Sequence, residues 1–126
     1  MTKNEIIAAK FWDRIKSTDE AEDGDLARFQ GATGIVIVTM NEYEDGQFTR
    51  SYVTWNPSEY IEDWHGKHGL LQKIEERGLA SNFFHNLMRV SRQPVTGHPG
   101  FEMLRMAGDP AQLTDALVAT IEEVEK

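Results

Sequence analysis

The spacing of apolar and polar residues predicts five helices and three strands along this chain. A stripe at four-residue spacing, following a capping-box pattern of Thr2 and Glu5, predicts a helix over residues 2–16. Residues 17–25 carry five carboxylates and almost no apolar side chain, which is typical of a solvated loop. The last helix is predicted to begin at residues 109–110 and to bury one face: Leu113, Leu117, Ile121 and Val124.

The strongest local pattern is a pair of β-branched and aromatic runs, residues 33–40 and 47–55, joined through Asp45 and Gly46. A two-residue Asp-Gly turn would pair Val36 with Trp55, Val38 with Val53, and Tyr43 with Phe48. We expect helices to cover one face of this hairpin. On the other face we expect aromatic residues that complete a core, stabilise strand pairing or form an interface: Tyr43, Phe48 and Tyr52.

The region after the hairpin predicts three helices and one more strand. Asn56 and Pro57 begin a helix that ends near the glycines of residues 65–69. Helices over residues 70–77 and 81–92 follow, and the second is apolar around most of its circumference, so we expect it to be buried. Residues 94–100 predict a loop and residues 101–107 a strand.

Together these elements predict one small α+β domain spanning residues 1–126. An antiparallel hairpin and one further strand pack against about five helices, in the order α-β-β-α-α-α-β-α. The length of 126 residues is typical of a single domain with one core.

Composition removes several classes of protein. The chain has no Cys, which excludes a disulfide framework, a thiolate nucleophile and Cys-bound zinc or iron–sulfur clusters. No apolar run approaches the length that spans a bilayer, and the N-terminus lacks the apolar segment of a secretory signal. We therefore expect a soluble, cytoplasmic protein without a membrane association.

Charge is distributed unevenly along the chain. The net charge is −8 and the isoelectric point is near 4.9, which argues against direct nucleic-acid binding and favours a basic protein surface as partner. Residues 65–108 differ, because they hold six Lys or Arg against three Asp or Glu, and all four His. A cationic segment with glycines is suited to an anionic small molecule.

The cationic segment predicts an anion site on the fourth helix and the loop after it. Arg binds phosphate through two parallel hydrogen bonds, and His, Thr and backbone amides add further donors. The predicted donors on these two elements are His85, Arg89, Arg92, Thr96 and His98, and Arg105 of the following predicted strand is a further one. Phe83 or Trp64 would stack on the base if the ligand were a nucleotide. The alternative is that these Arg residues pair with surface carboxylates and the His residues are structural.

Metal and catalytic patterns are weak. His65 and His68 have the spacing of two zinc ligands, but a third ligand such as Asp63, His85 or His98 has to be supplied from elsewhere. Residues 19–30 only partly follow a calcium-loop pattern, since Ala21 and Gln30 replace required carboxylates. No nucleophile elbow, phosphate loop or dinucleotide motif is present, so we predict no metal, no cofactor and no catalysis.

Two functions follow as hypotheses. The first is a non-catalytic protein that sequesters or senses a phosphorylated, nucleotide-like small molecule. The second is a small acidic inhibitor, of the phage anti-defence or immunity type, that covers a basic surface of a nucleic-acid-handling enzyme. An enzyme with an unrecognised His and Arg site is a weaker third hypothesis. In each case we expect a homo-oligomer, because a hairpin with two apolar faces is hard to cover in a chain this small.

Overall fold

A computed structural model describes residues 2–66, 68–91 and 109–125 of the chain. The protein is α+β, and these described residues form four helices and a four-stranded mixed sheet. The chain divides into two compact units. We call Ala8–Asn56 the sheet unit, and Met1–Ile7 together with Pro57–Lys126 the helical unit. The prediction of a single domain stays a prediction.

The helical unit is built mainly on two helices that pack together. Its described elements are the first residues of α1 (Lys3–Trp12), a 3-10 helix (Ile61–Trp64), α2 (Leu70–Glu76), α3 (Ala80–Ser91) and α4 (Pro110–Val124). The predicted start of α4 is confirmed, because the Asp109 side chain accepts a hydrogen bond of 2.9 Å from the Ala111 amide and Pro110 occupies the first turn. The buried side of α4 includes Leu113, Leu117 and Ile121.

The sheet unit holds four strands in the order β1-β2-β3-β4. Their bounds are β1 (Lys16–Ser17), β2 (Leu26–Arg28), β3 (Val36–Glu42) and β4 (Phe48–Thr54). The first pair is parallel and the other two are antiparallel. A small cluster of Ala21, Ala27 and Val38 is fully buried against this sheet.

The hairpin is confirmed, but its predicted register is wrong by one residue. Val38 lies opposite Tyr52, not Val53, and Phe48 lies opposite Glu42, not Tyr43. The cause is a turn of three residues, because the Tyr43 amide donates to the Gln47 carbonyl and Gly46 takes a φ of 80°. A type I turn followed by a left-handed glycine has this geometry, and an Asp-Gly pair fits it as well as the two-residue turn.

Residues 17–28 are not only a loop. They begin in β1 and end in β2, which extend the sheet beyond the hairpin. Gly24 and Asp25 both form backbone hydrogen bonds with Val38, of 2.7 and 2.9 Å. Two residues before β2 therefore lie opposite a single residue of β3, which is a β-bulge. Such a bulge needs a residue that tolerates a left-handed backbone, and Gly24 has a φ of 86°.

Two predicted helices differ from the structure, and one predicted strand is untested. The first helix ends at Trp12 instead of residue 16, since Asp13 takes a left-handed φ of 62°. The helix predicted from residue 56 is instead a set of turns and one 3-10 helix (Ile61–Trp64). The predicted strand over residues 101–107 lies outside the described residues. Within the described residues, no helix has the length and apolar character needed to cross a membrane.

Candidate functional site

The predicted anion site begins on α3. This helix buries Phe83, Asn86 and Leu87 on one side, which follows from their spacing of three and four residues. His85 and Arg89 are exposed and one turn apart. The structure therefore brings two of the predicted donors to one face of one helix. The other predicted donors, Arg92, Thr96, His98 and Arg105, lie outside the described residues.

Arg89 already has an acidic neighbour. Its guanidinium lies 3.7 Å from the carboxylate of Glu123 on α4, and both side chains are largely exposed. The Asn86 side-chain amide donates to the same carboxylate at 3.3 Å and to the Thr120 hydroxyl at 3.0 Å. A bound anion would have to compete with Glu123 for Arg89. It would also meet the negative end of the α3 dipole, since Arg89 lies in the last turn.

The two predicted stacking residues are part of the core. Trp64 and Phe83 are fully buried and their rings stack on each other, with centroids 5.9 Å apart and an angle of 20°. The indole N–H of Trp64 donates to the carbonyl of Pro57 at 2.8 Å. These rings hold the 3-10 helix against α3, and they present no open face to a nucleotide base.

His65 borders a shallow, open groove of about 420 Å³ in the helical unit. Its wall contains the edge of Trp64, Leu71 and two carboxylates, Glu75 and Glu76. This wall is acidic, so it does not suit a phosphate. Among the described residues, no three His, Asp or Glu side chains lie together as a metal site would require.

The second predicted surface is on the hairpin. Tyr43, Phe48 and Tyr52 are all exposed, and Phe48 is 64% exposed. The corrected register separates them, because side chains alternate between the faces of a strand. Phe48 and Tyr52 share one face of β4, whereas Tyr43 precedes the turn and does not lie opposite Phe48.

Two exposed residues that the sequence did not indicate extend this face. Met40 lies next to Glu42 in the alternation of β3 and opposite Arg50, so it shares the face of Phe48. The ring of Phe29 meets that of Tyr52 edge to face, at 5.1 Å between centroids. Phe29 follows β2, a strand that the sequence pattern did not indicate, so the neighbours of Phe29 could not be predicted. We call these four exposed side chains the hairpin patch: Phe29, Met40, Phe48 and Tyr52.

Carboxylates surround one end of the hairpin patch. Glu42 lies opposite Phe48, and Glu44 and Asp45 belong to the turn beyond them. The Asp45 carboxylate also accepts a hydrogen bond of 3.1 Å from the Gln47 amide, which fixes the turn. The Arg50 guanidinium is directed elsewhere, since it donates to the Thr18 carbonyl at 3.2 Å. The end of the hairpin is therefore acidic and apolar at once.

Other carboxylates of the sheet unit have structural partners. Asp25 forms an ion pair of 2.9 Å with Lys16 and also accepts the Glu22 amide. Asp23 accepts the Met40 amide at 3.0 Å, and so supports β3 beyond the bulge. The acidic segment of residues 19–25 thus partly holds the sheet together, whereas the side chains of Glu42 and Glu44 make no such bond with any described residue.

The chain was compared with protein-family models, with curated proteins and with solved structures, and none of them matched it.

Proposed function

We propose that this chain is a non-catalytic, acidic protein that covers a basic surface of a protein partner, as inhibitors of the phage anti-defence or immunity type do. The observation that carries the proposal is the hairpin patch with its acidic end. Four large apolar side chains lie exposed around Arg50, which lies between Phe48 and Tyr52 on β4 and opposite Met40, although soluble proteins rarely leave such groups together in water.

The chemistry of the patch fits a protein surface better than a small molecule. Aromatic side chains and Met are enriched in the buried centres of interfaces, where they contribute most of the binding free energy. Glu42, Glu44 and Asp45 would form the charged rim, which guides association with a basic partner and sets its orientation. Surfaces rich in Lys and Arg are typical of enzymes that bind nucleic-acid phosphates. We therefore propose a nucleic-acid-handling enzyme as the partner.

Charge reversal at the hairpin end tests this proposal. We expect Glu42→Lys combined with Glu44→Lys to weaken binding to an inhibited enzyme by roughly tenfold or more, since two attractive contacts of about 1 kcal/mol become repulsive. Phe48→Ala is expected to weaken binding by a similar factor, because it removes an apolar anchor. The measurement is inhibition of a panel of purified nucleases, helicases and polymerases, with titrations at several salt concentrations.

The matched control changes the same net charge elsewhere. Glu59→Lys with Glu62→Lys alters two exposed carboxylates outside the hairpin, and inhibition should be preserved. If no enzyme of the panel is inhibited, or if the control pair weakens inhibition as strongly as the hairpin pair, the hairpin end is not the contact surface.

The second candidate is a protein that binds a phosphorylated or nucleotide-like small molecule. It is supported by His85 and Arg89, which are exposed and one turn apart on α3. If Arg89 binds phosphate, Arg89→Ala should weaken affinity by roughly 1.5–3 kcal/mol without lowering the melting temperature. Calorimetry with nucleotides, cyclic nucleotides and sugar phosphates measures this. An absence of binding below millimolar concentration would leave Arg89 as a partner of Glu123 alone.

A further inference from the structure

The two edges of the sheet differ in how they are protected. At one edge, β1 has two residues, and its Lys16 forms an ion pair with Asp25. At the other edge, β4 has seven residues and contains no Lys, Pro or Gly, and the guanidinium of its one charged residue, Arg50, donates to the Thr18 carbonyl. Among the residues that the structure describes, no strand pairs with the outer side of β4. Six of the seven side chains of β4 are exposed, and Ser51 is half-buried. Soluble proteins normally shorten, charge or bend a strand in this position, because its free backbone groups pair readily with another strand.

The backbone groups at the open edge follow from the pairing with β3. The Trp55 amide donates to the Ile35 carbonyl, and the Tyr43 amide donates to the Gln47 carbonyl, so odd-numbered residues of β4 bond toward β3. The backbone of Val38, an even-numbered residue of β3, instead bonds away from β4, to Gly24 and Asp25. The even-numbered residues of β4 therefore direct their N–H and C=O groups outward: Phe48, Arg50, Tyr52 and Thr54.

We propose that β4 pairs antiparallel with β4 of a second copy of this chain, about a twofold axis through Ser51, to give one continuous eight-stranded sheet. This register places Arg50 opposite Tyr52 of the second copy, and Phe48 opposite its Thr54. All of the outward-directed backbone groups of β4 then find a partner. Thr49 faces Val53, a pairing of two β-branched side chains that suits a strand surface.

Charge is compatible with this pairing in spite of the net charge of −8. In an antiparallel arrangement the two acidic turns lie at opposite ends of the joined strands. Each turn is about six residues from the axis, so at ~3.4 Å per residue the two Asp45 residues are about 40 Å apart. That distance is several times the Debye length of ~8 Å at physiological salt, so repulsion between the turns is screened.

The pairing extends the proposed function, although it stands on the backbone of β4 and not on that function. A twofold axis perpendicular to a sheet keeps equivalent faces on the same side. Both hairpin patches would therefore lie on one side of the joined sheet. Two copies would present a surface of doubled length to a basic partner, with one acidic end at each extremity.

Single cysteines test the register, because the chain contains no Cys of its own. Only residue 51 meets its own copy across the axis, at a non-hydrogen-bonded pair with Cα atoms ~4.5 Å apart, within the range for a disulfide. We expect Ser51→Cys to form a covalent dimer under mild oxidation, at least fivefold more than Thr49→Cys or Val53→Cys alone. An equimolar mixture of Thr49→Cys and Val53→Cys should give a mixed dimer.

The readout is the dimer fraction on non-reducing gels and by intact mass, with sedimentation velocity of the parent chain from 1 to 200 μM as a non-covalent measure. Equal cross-linking at all three positions, or a parent chain that sediments as a monomer at every concentration, overturns the proposal. If Ser51→Cys does not fold, the mixture of Thr49→Cys and Val53→Cys still tests the register, because the absence of a mixed dimer would overturn it. Neither measurement includes a partner enzyme. The pairing of two β4 strands can therefore be confirmed or overturned whether or not this chain inhibits an enzyme.

Discussion

Trp64→Ala is expected to lower the free energy of unfolding by about 3–5 kcal/mol, a large share of the stability of a small protein. Trp64 is fully buried, and its ring stacks on that of Phe83. The truncation removes this contact and leaves a cavity between the 3-10 helix and α3. Chemical denaturation followed by circular dichroism measures the loss.

Two further variants separate the causes of this effect. Trp64→Phe keeps an aromatic ring but removes the indole N–H, and we expect a smaller cost of about 1 kcal/mol. The Pro57 carbonyl keeps a donor in that variant, because the Thr114 hydroxyl also reaches it, at 3.1 Å. Tyr60→Ala is the control for aromatic content, since Tyr60 is 44% exposed. If Trp64→Ala costs no more than Tyr60→Ala, the ring is not part of the core.

Leu117→Ala on α4 is expected to cost about 2–4 kcal/mol. Leu117 is completely buried in the helical unit, so the substitution removes apolar contacts without a gain in solvation. Val124→Ala is a matched control on the same helix, because Val124 was predicted on the buried face but is 40% exposed. We expect a cost below about 1 kcal/mol for the control. Thermal melts that show the same loss for both variants would contradict the orientation of α4.

Helices with an apolar stripe and a clear cap were predictable from the sequence. The start of α4 at Asp109 and Pro110 is confirmed, and α2 ends at Glu76, within one residue of the predicted bound of 77 and two residues before Gly78, which takes a φ of 70°. Each signal is local, since a side chain or a glycine acts within one turn of its own position. The end of α1 could not be predicted in this way. Asp13 has a left-handed backbone, but Asp, unlike Gly, is not a residue type that signals this conformation.

The sheet was only partly predictable, because its details depend on pairing between distant segments. The two runs of the hairpin were clear, but Asp45 and Gly46 fit two turn lengths that differ in register by one residue. β1 and β2 have two and three residues, which is too short for a period-two pattern. β2 depends on its pairing with β3 next to the bulge at Gly24, and β1 depends in turn on its pairing with β2.

In the candidate sites, too, local features were predictable and contacts between distant segments were not. The helical spacing placed His85 and Arg89 on one face, as the structure does, but it gave no sign that Glu123 of α4 lies beside Arg89. Trp64 and Phe83 were considered as ligand contacts, although an aromatic residue at helical spacing is more often buried. Phe29 was missed because its relation to Tyr52 exists only once β2 has joined the sheet.

The two units differ in when they can form during synthesis. The sheet unit, Ala8–Asn56, is continuous in the chain, so all of its strands are present once residue 56 has left the ribosome. The helical unit joins Met1–Ile7 to Pro57–Lys126, and Lys3 forms its ion pair with Asp115, which is made 112 residues later. At ~5–20 residues per second, the 70 residues of Pro57–Lys126 take roughly 4–14 s to be synthesised. During that interval the sheet unit can already be folded, whereas the helical unit still lacks the segment that carries Asp115.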